Sequence, residues 1–233
     1  MIGNSCDSPT PRQTRAIKPT KRSLSGVFPL RNQAGIAYES LLERDFLFRT
    51  AFSVEVDTII PQPVKIDFTG RDGRIFQYTP DFLVYYHLGN RHYDDYPKPM
   101  LVEVKPEKEW RQNWRSWLPK WKAAWRYAHD QGWVFHIHDE NRIRDNVFSN
   151  IEFLERYKRF NFPVENTDWV LETVRQMGTV PFHYLLARHF SGIYKAEGIS
   201  LIWHMVATRQ LDCDIRQPLN SFLELWVLSL TEN

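Results

Sequence analysis

Between Tyr38 and Phe52 the apolar side chains Leu41, Leu42, Phe46, Phe48 and Phe52 recur at helical spacing, with Ser40 available as a cap near the start. That pattern predicts a helix. Val54, Val56, Thr58 and Ile60 then alternate with polar neighbours until Pro61 and Pro63, which predicts a strand. Two further strands, Val64–Phe68 and Arg74–Tyr78, flank the turn sequence Gly70-Arg71-Asp72-Gly73. Asp81–His87 and Met100–Lys105 are rich in strand formers, the second ending at Pro106. From Pro119 to Gln131 a helix is expected, with Trp121, Ala124, Trp125 and Ala128 on one face and Gly132 closing it. Trp133–His138 completes the unit as a strand. A helix, hairpin strands, a second helix and a last strand describe a mixed α/β domain.

The pattern changes beyond residue 142. Residues 143–163 read as a connecting helix and linker. Helices are then expected from Thr167 or Asp168 to Met177, from Pro181 to Phe190 and from Tyr194 to Thr208, followed by a short strand around Leu211–Ile215 and an apolar tail. Three helices with a small β element give residues 164–233 a winged-helix-like character. Residues 1–26, rich in Ser, Thr, Pro and basic groups, read as a flexible arm. The fold class is thus α/β (mixed), with the α/β domain over 27–142 and a mostly helical C-terminal domain.

Composition narrows the function. Of the 233 residues 42% are hydrophobic, enough for a substantial core, yet no apolar run reaches the roughly 18 residues of a membrane span. The first residues lack the apolar stretch of a signal peptide, and two cysteines, Cys6 and Cys213, build neither a disulfide framework nor a zinc site; both point to a reducing cytosol. The net charge of +2 says little, but its distribution says more. Residues 1–35 carry six basic groups against one acid, and from Glu165 onward five basic groups face eight acids. A surface for nucleic acid therefore belongs in the first two-thirds, and the anionic end suits a protein partner.

The chemistry concentrates in Thr79-Pro80-Asp81 and, after 21 intervening residues, Glu103-Val104-Lys105. Side chains alternate along a strand, so Glu103 and Lys105 share a face, and Asp81 on a neighbouring strand can join them. Two carboxylates brought together in a low dielectric repel each other, and a hard divalent cation resolves the conflict. Such an ion would take Asp81, Glu103 and the Val104 carbonyl as ligands, with a third carboxylate from the upstream helix, Glu43 or Glu39. Oxygen ligands select Mg²⁺, with Mn²⁺ as substitute. Lys105 would orient water, stabilise charge on phosphorus or, with a depressed pKa, help remove a proton. The plain alternative is an internal salt bridge between Glu103 and Lys105.

These residues resemble the PD-(D/E)xK nuclease superfamily, and the wider string resembles its TnsA branch, the endonuclease subunit of heteromeric TnsA/TnsB/TnsC transposons. The likeness rests on Tyr38-Glu-Ser-Leu-Leu-Glu43-Arg-Asp-Phe46, Gln62-Pro63, Tyr78-Thr-Pro-Asp81-Phe-Leu-Val84, Val102-Glu-Val-Lys-Pro106 and Lys120–Ala128 leading to Gly132-Trp133. It implies a restriction-endonuclease-like core and a Mg²⁺-dependent endonuclease that cuts the non-transferred 5′ strand of double-stranded DNA at transposon ends. The catalytic set carried over is Glu43, Asp81, Glu103 and Lys105. The implied partners are a TnsB-type DDE transposase and a TnsC-type AAA+ ATPase docked on the C-terminal domain, in a bacterial cytoplasm and away from membranes. The rival readings are a nuclease-fold assembly subunit without turnover and a stand-alone restriction or junction-resolving nuclease.

Five tryptophans, Trp110, Trp114, Trp117, Trp121 and Trp125, interleave with Lys108, Arg111, Arg115, Lys120 and Lys122. These cations are the candidate phosphate contacts. Trp121 and Trp125 are expected in the core, and Pro119 is expected to break the stretch into two helices. His136, His138, His183, His189 and His204 read as satisfied structural histidines, and Cys213 as a small apolar filler.

Overall fold

The computed structural model describes Gln13 and residues 25–30, 33–89, 91–190 and 192–227. The basic arm expected over 1–26 lies almost wholly outside them, as do Cys6 and the end of the apolar tail. The chain divides into two compact units, residues 1–143 and 144–233.

The first unit opens with an antiparallel hairpin, β1 (Gly26–Leu30) and β2 (Gln33–Tyr38), which the sequence pattern did not announce. Tyr38 therefore ends a strand rather than starting a helix. Helix α1 (Leu41–Ala51) begins only after Ser40, whose extended backbone and side-chain bond to the Glu43 N–H form its N-cap. Then come β3 (Val56–Pro61), the hairpin β4 (Ile66–Thr69) and β5 (Ile75–Tyr78), β6 (Phe82–Tyr86), β7 (Met100–Val104), α2 (Glu107–Asp130), β8 (Val134–His138) and α3 (Glu140–Ile143). The central sheet runs β3-β6-β7-β8, antiparallel except for β7 beside β8. That parallel pair is what the α2 crossover makes possible.

Helices cover both faces of this sheet, so its middle strands are apolar on both sides. Ile59, Phe82, Val84, Val102 and Val104 meet Leu42, Phe46 and Leu47 of α1. Their neighbours in sequence, Ile60, Leu83 and Leu101, meet Trp121, Ala124 and Ala128 of α2. By the same alternation Glu103 follows Leu101 onto the α2 face.

Two expectations about α2 are corrected. The helix is continuous across Pro119 and starts at Glu107. Proline deprives the Arg115 carbonyl of its donor, but Arg115 is exposed and water can take that place. Gly132 lies just past the helix end with φ +74°, a conformation that favours glycine. Trp121 is buried as expected, whereas Trp125 is 57% exposed and stacks on His129.

The second unit holds α4 (Asn146–Glu155), a 3₁₀ turn at Arg156–Arg159, α5 (Val164–Met177), β9 (Thr179–Pro181), α6 (Phe182–His189), α7 (Lys195–Ala207) and β10 (Glu224–Trp226). β9 and β10 pair antiparallel. The strand expected around Leu211–Ile215 is only a bridge between Asp212 and Trp226. The Asp212 carboxylate there binds Arg209 at 2.7 Å and the Cys213 N–H at 2.8 Å, which bends the chain out of a ladder. Cys213 is buried, with its thiol pushed up to about 12 by burial, and is inert. Among the described residues no helix is long and apolar enough to cross a membrane.

Phe46, 2% exposed and stacked on Phe82 at 5.4 Å, joins α1 to the sheet. Phe46→Ala is expected to lower stability by about 3–5 kcal/mol, read from the urea midpoint.

Candidate active site

Strands β6 and β7 pair Phe82 with Val102, which sets Asp81 opposite Glu103 at one end of the sheet. Asp81 is held by its backbone: its N–H donates to the Val102 carbonyl at 3.0 Å and its carbonyl accepts from Gln62 N–H at 2.8 Å. Its Oδ2 accepts the Val104 N–H at 2.7 Å. Gln62 supplies its bond from a positive φ of +46°, a turn the Gln62-Pro63 pair makes between β3 and β4.

Glu103 is 1% exposed, and both oxygens are engaged. Oε2 accepts from the Tyr78 hydroxyl at 2.6 Å. Oε1 lies 3.1 Å from Lys120 Nζ and 3.6 Å from Lys105 Nζ. The expected Glu103–Lys105 pair is thus present, but a second lysine lies closer. Neither Tyr78 nor Lys120 was read from the sequence as part of this cluster. Lys120 is one of the candidate phosphate contacts of the sequence pattern, and the parity of its turn of α2 relative to β7 is visible only in three dimensions.

Glu43 sits at the third position of α1 in a capping box. Its N–H donates to Ser40 Oγ at 3.1 Å, and its carboxylate accepts from Ser40 Oγ–H at 3.0 Å and from the Glu39 N–H at 2.7 Å. Glu39, expected like Glu43 on the upstream helix, precedes it instead. Of the two, Glu43 is the carboxylate whose charge acts on Asp81 and Lys105.

The electrostatics are lopsided. Burial, then the charges of Glu103 and Glu43, push the Asp81 carboxyl well above its ordinary range, against the pull of Lys105 and the Val104 N–H. Burial also raises Glu43. For Lys105 burial works against the charge, but Asp81, Glu103 and Glu43 outweigh it and hold the ammonium above its usual pKa. Lys105 is therefore a fixed cation in this arrangement; the proton-removing role would need the opposite shift.

This donor set fits a hard divalent cation in kind: three carboxylates and no thiolate, with Asp81 short of positive charge. As the side chains stand, no three Asp, Glu, His or Cys groups among the described residues are gathered closely enough to hold an ion. Glu103 is turned to Tyr78 and Lys120, and Glu43 to its cap.

The remaining cations of α2 differ in availability. Lys108 and Lys122 are exposed. Arg111 pairs with Glu107 at 2.6 Å and lies over Trp110; Arg115 lies over Trp114. Trp110 itself donates to Asp139 at 3.0 Å. The histidines are occupied structurally: His204 bonds the Tyr157 carbonyl, His189 the Thr173 hydroxyl and His183 the Ser221 carbonyl. His138 is lowered to about 4 by burial and Arg142, so it stays neutral.

Residues 53–140 match the family profile described as TnsA-like endonuclease N terminal, and residues 142–215 match TnsA endonuclease C terminal. The two cover adjacent stretches, in that order, and together most of the chain. This chain belongs to the TnsA-like endonuclease family. No curated protein matches it significantly. The first profile spans Asp81, Glu103 and Lys105, while α1 with Glu43 lies just before it.

Because Asp81 has a raised pKa in the fold, the folded chain binds its proton more tightly than the unfolded chain does. Stability in the absence of metal should therefore fall as pH rises from about 4 through that raised value. Asp81→Asn keeps an oxygen for the Val104 N–H and removes the charge. It is expected to raise the metal-free melting temperature at pH 8 by roughly 2–4 °C, about 1 kcal/mol for a chain of this size, and to flatten the pH profile.

Proposed function

We propose that this TnsA-like endonuclease hydrolyses the non-transferred 5′ strand at transposon ends, in a Mg²⁺-dependent reaction beside a TnsB-type DDE transposase. The observation that carries the reading is the meeting of Asp81, Glu103 and Lys105 at the ends of two paired strands, with Glu43 close enough to act on them, in a chain that matches both TnsA domains. Family membership already implies DNA and other transposition proteins as partners; the strand and the division of labour are the proposal.

Asp81, Glu103 and the Val104 carbonyl would hold the ion, with Glu43 rather than Glu39 as the further carboxylate. When bound, the ion would lower the pKa of a water and offset charge developing on phosphorus. The chain's own residues do the rest. Lys105, held protonated, positions an anionic phosphate oxygen and offsets its charge. Val104 fixes Asp81 through its N–H, and Tyr78 holds one oxygen of Glu103 through its hydroxyl. Lys108, Arg111, Arg115 and Lys122, on the first five turns of the helix that leaves the site, would meet the DNA backbone. The acidic second unit, with its winged-helix-like character, is the better surface for a TnsC-type ATPase than for DNA.

Asp81→Ala is expected to reduce 5′-strand cleavage at least about a thousandfold in a reconstituted transposition reaction, while cooperative unfolding is retained. Cleavage of the 3′ strand by the DDE transposase should continue, shifting products towards cointegrates. Full double-strand excision by this variant would end the proposal.

A further inference from the structure

Lys120 is an unusual lysine for a helix that faces nucleic acid. Its side chain is only 16% exposed, its ammonium is 3.1 Å from a Glu103 oxygen, and the Glu103 side chain is 2% exposed. The same Nζ lies 4.8 Å from the centre of the Tyr78 ring, 4.7 Å from Trp117 and 5.9 Å from Trp121. One carboxylate and three aromatic faces enclose it. A phosphate-gripping lysine needs a free, solvated head, and this one has none.

The charge inventory shows what it does there. Glu43, Asp81 and Glu103 bring three carboxylates to the site, against Lys105 and Lys120. The cation nearest Glu103 is Lys120, not the motif lysine. Removing it would leave a buried carboxylate whose nearest cation is 3.6 Å away. Yet a positive charge on a ligand oxygen opposes any second cation that seeks the same oxygen.

We propose that Lys120 is a resident counter-cation of the active site: it neutralises Glu103 while no ion is bound and competes with a divalent cation for that carboxylate, so that it sets how weakly the free protein holds metal. This rests on the metal-dependent nuclease reading above. The aromatic faces make the exchange feasible. An ammonium displaced from Glu103 keeps Tyr78 and Trp117 as cation–π partners and is not stranded in apolar surroundings. Lys120 thus acts through Glu103 as a positioning residue, distinct from Lys105.

Titration calorimetry with Mn²⁺ tests this on the full chain, comparing wild type with Lys120→Met, Lys120→Gln and Asp81→Asn. Gln keeps a donor for Glu103 without the charge, so the two lysine variants separate charge from hydrogen bonding. Both are expected to bind Mn²⁺ at least about tenfold more tightly than wild type. Their melting temperatures without metal should fall below that of wild type, and saturating Mn²⁺ should close the gap. A merely structural lysine would weaken binding or leave it unchanged. If wild type binds Mn²⁺, Asp81→Asn abolishes that binding, and the lysine variants bind equally or less tightly, the counter-cation is refuted and the nuclease reading stands. If neither wild type nor the lysine variants show binding that depends on Asp81, the metal-dependent reading fails and takes this inference with it.

Discussion

One carboxylate, that of Glu103, is sealed near one end of the sheet face that α2 covers, and the neighbouring elements are arranged to keep it there. An ionised acid in such a place is costly unless it is paired and hydrogen-bonded. Tyr78 comes from the end of the β4–β5 hairpin, Lys120 from the middle of α2 and Lys105 from the end of β7, and all three meet on Glu103. The hairpin and the long helix are thereby tied to the central strand at the same point by polar bonds, in addition to the apolar packing of Tyr78, Leu101 and Trp121.

Beside this neutralised acid stands one that is not. Asp81 is locked by backbone bonds on both sides, yet its charge is opposed by Glu103 and Glu43. The fold carries the cost in a hydrogen-bonded stretch of sheet. Such local destabilisation is typical of sites whose charge is completed only by something that binds, and it is affordable because the two apolar layers around the sheet are extensive.

Helix α2 links these levels. One stripe, Trp121, Ala124 and Ala128, fills the core; its Lys120 reaches into the site; its outer side carries Lys108 and Lys122 to solvent. A break at Pro119 would have separated the core stripe from the cations of the first turns. The continuous helix instead keeps both in fixed relation to Glu103.

Local pattern was enough for most of the first unit. The strand character of β6 and β7, the Ser40–Glu43 cap, the turn at Gly70–Gly73 and the shared face of Glu103 and Lys105 follow from spacing along the chain, because each depends on neighbours two to four residues apart or on the period of a strand, whereas Asp81 joins them only through the pairing of β6 with β7. The β1–β2 hairpin escaped notice because its strands are short and half exposed, so no apolar alternation marks them. Trp125 and Lys120 were misplaced for a related reason: helical spacing tells which residues share a face, not which face meets the sheet. That choice is made by the packing of α2 across β7, which turned Trp125 outward and Lys120 inward. The amino-acid sequence by itself therefore determined which acids and which lysine could form a site. Only the tertiary structure decided that a second lysine would stand closest to the buried acid, since that contact joins residues 17 apart on different elements.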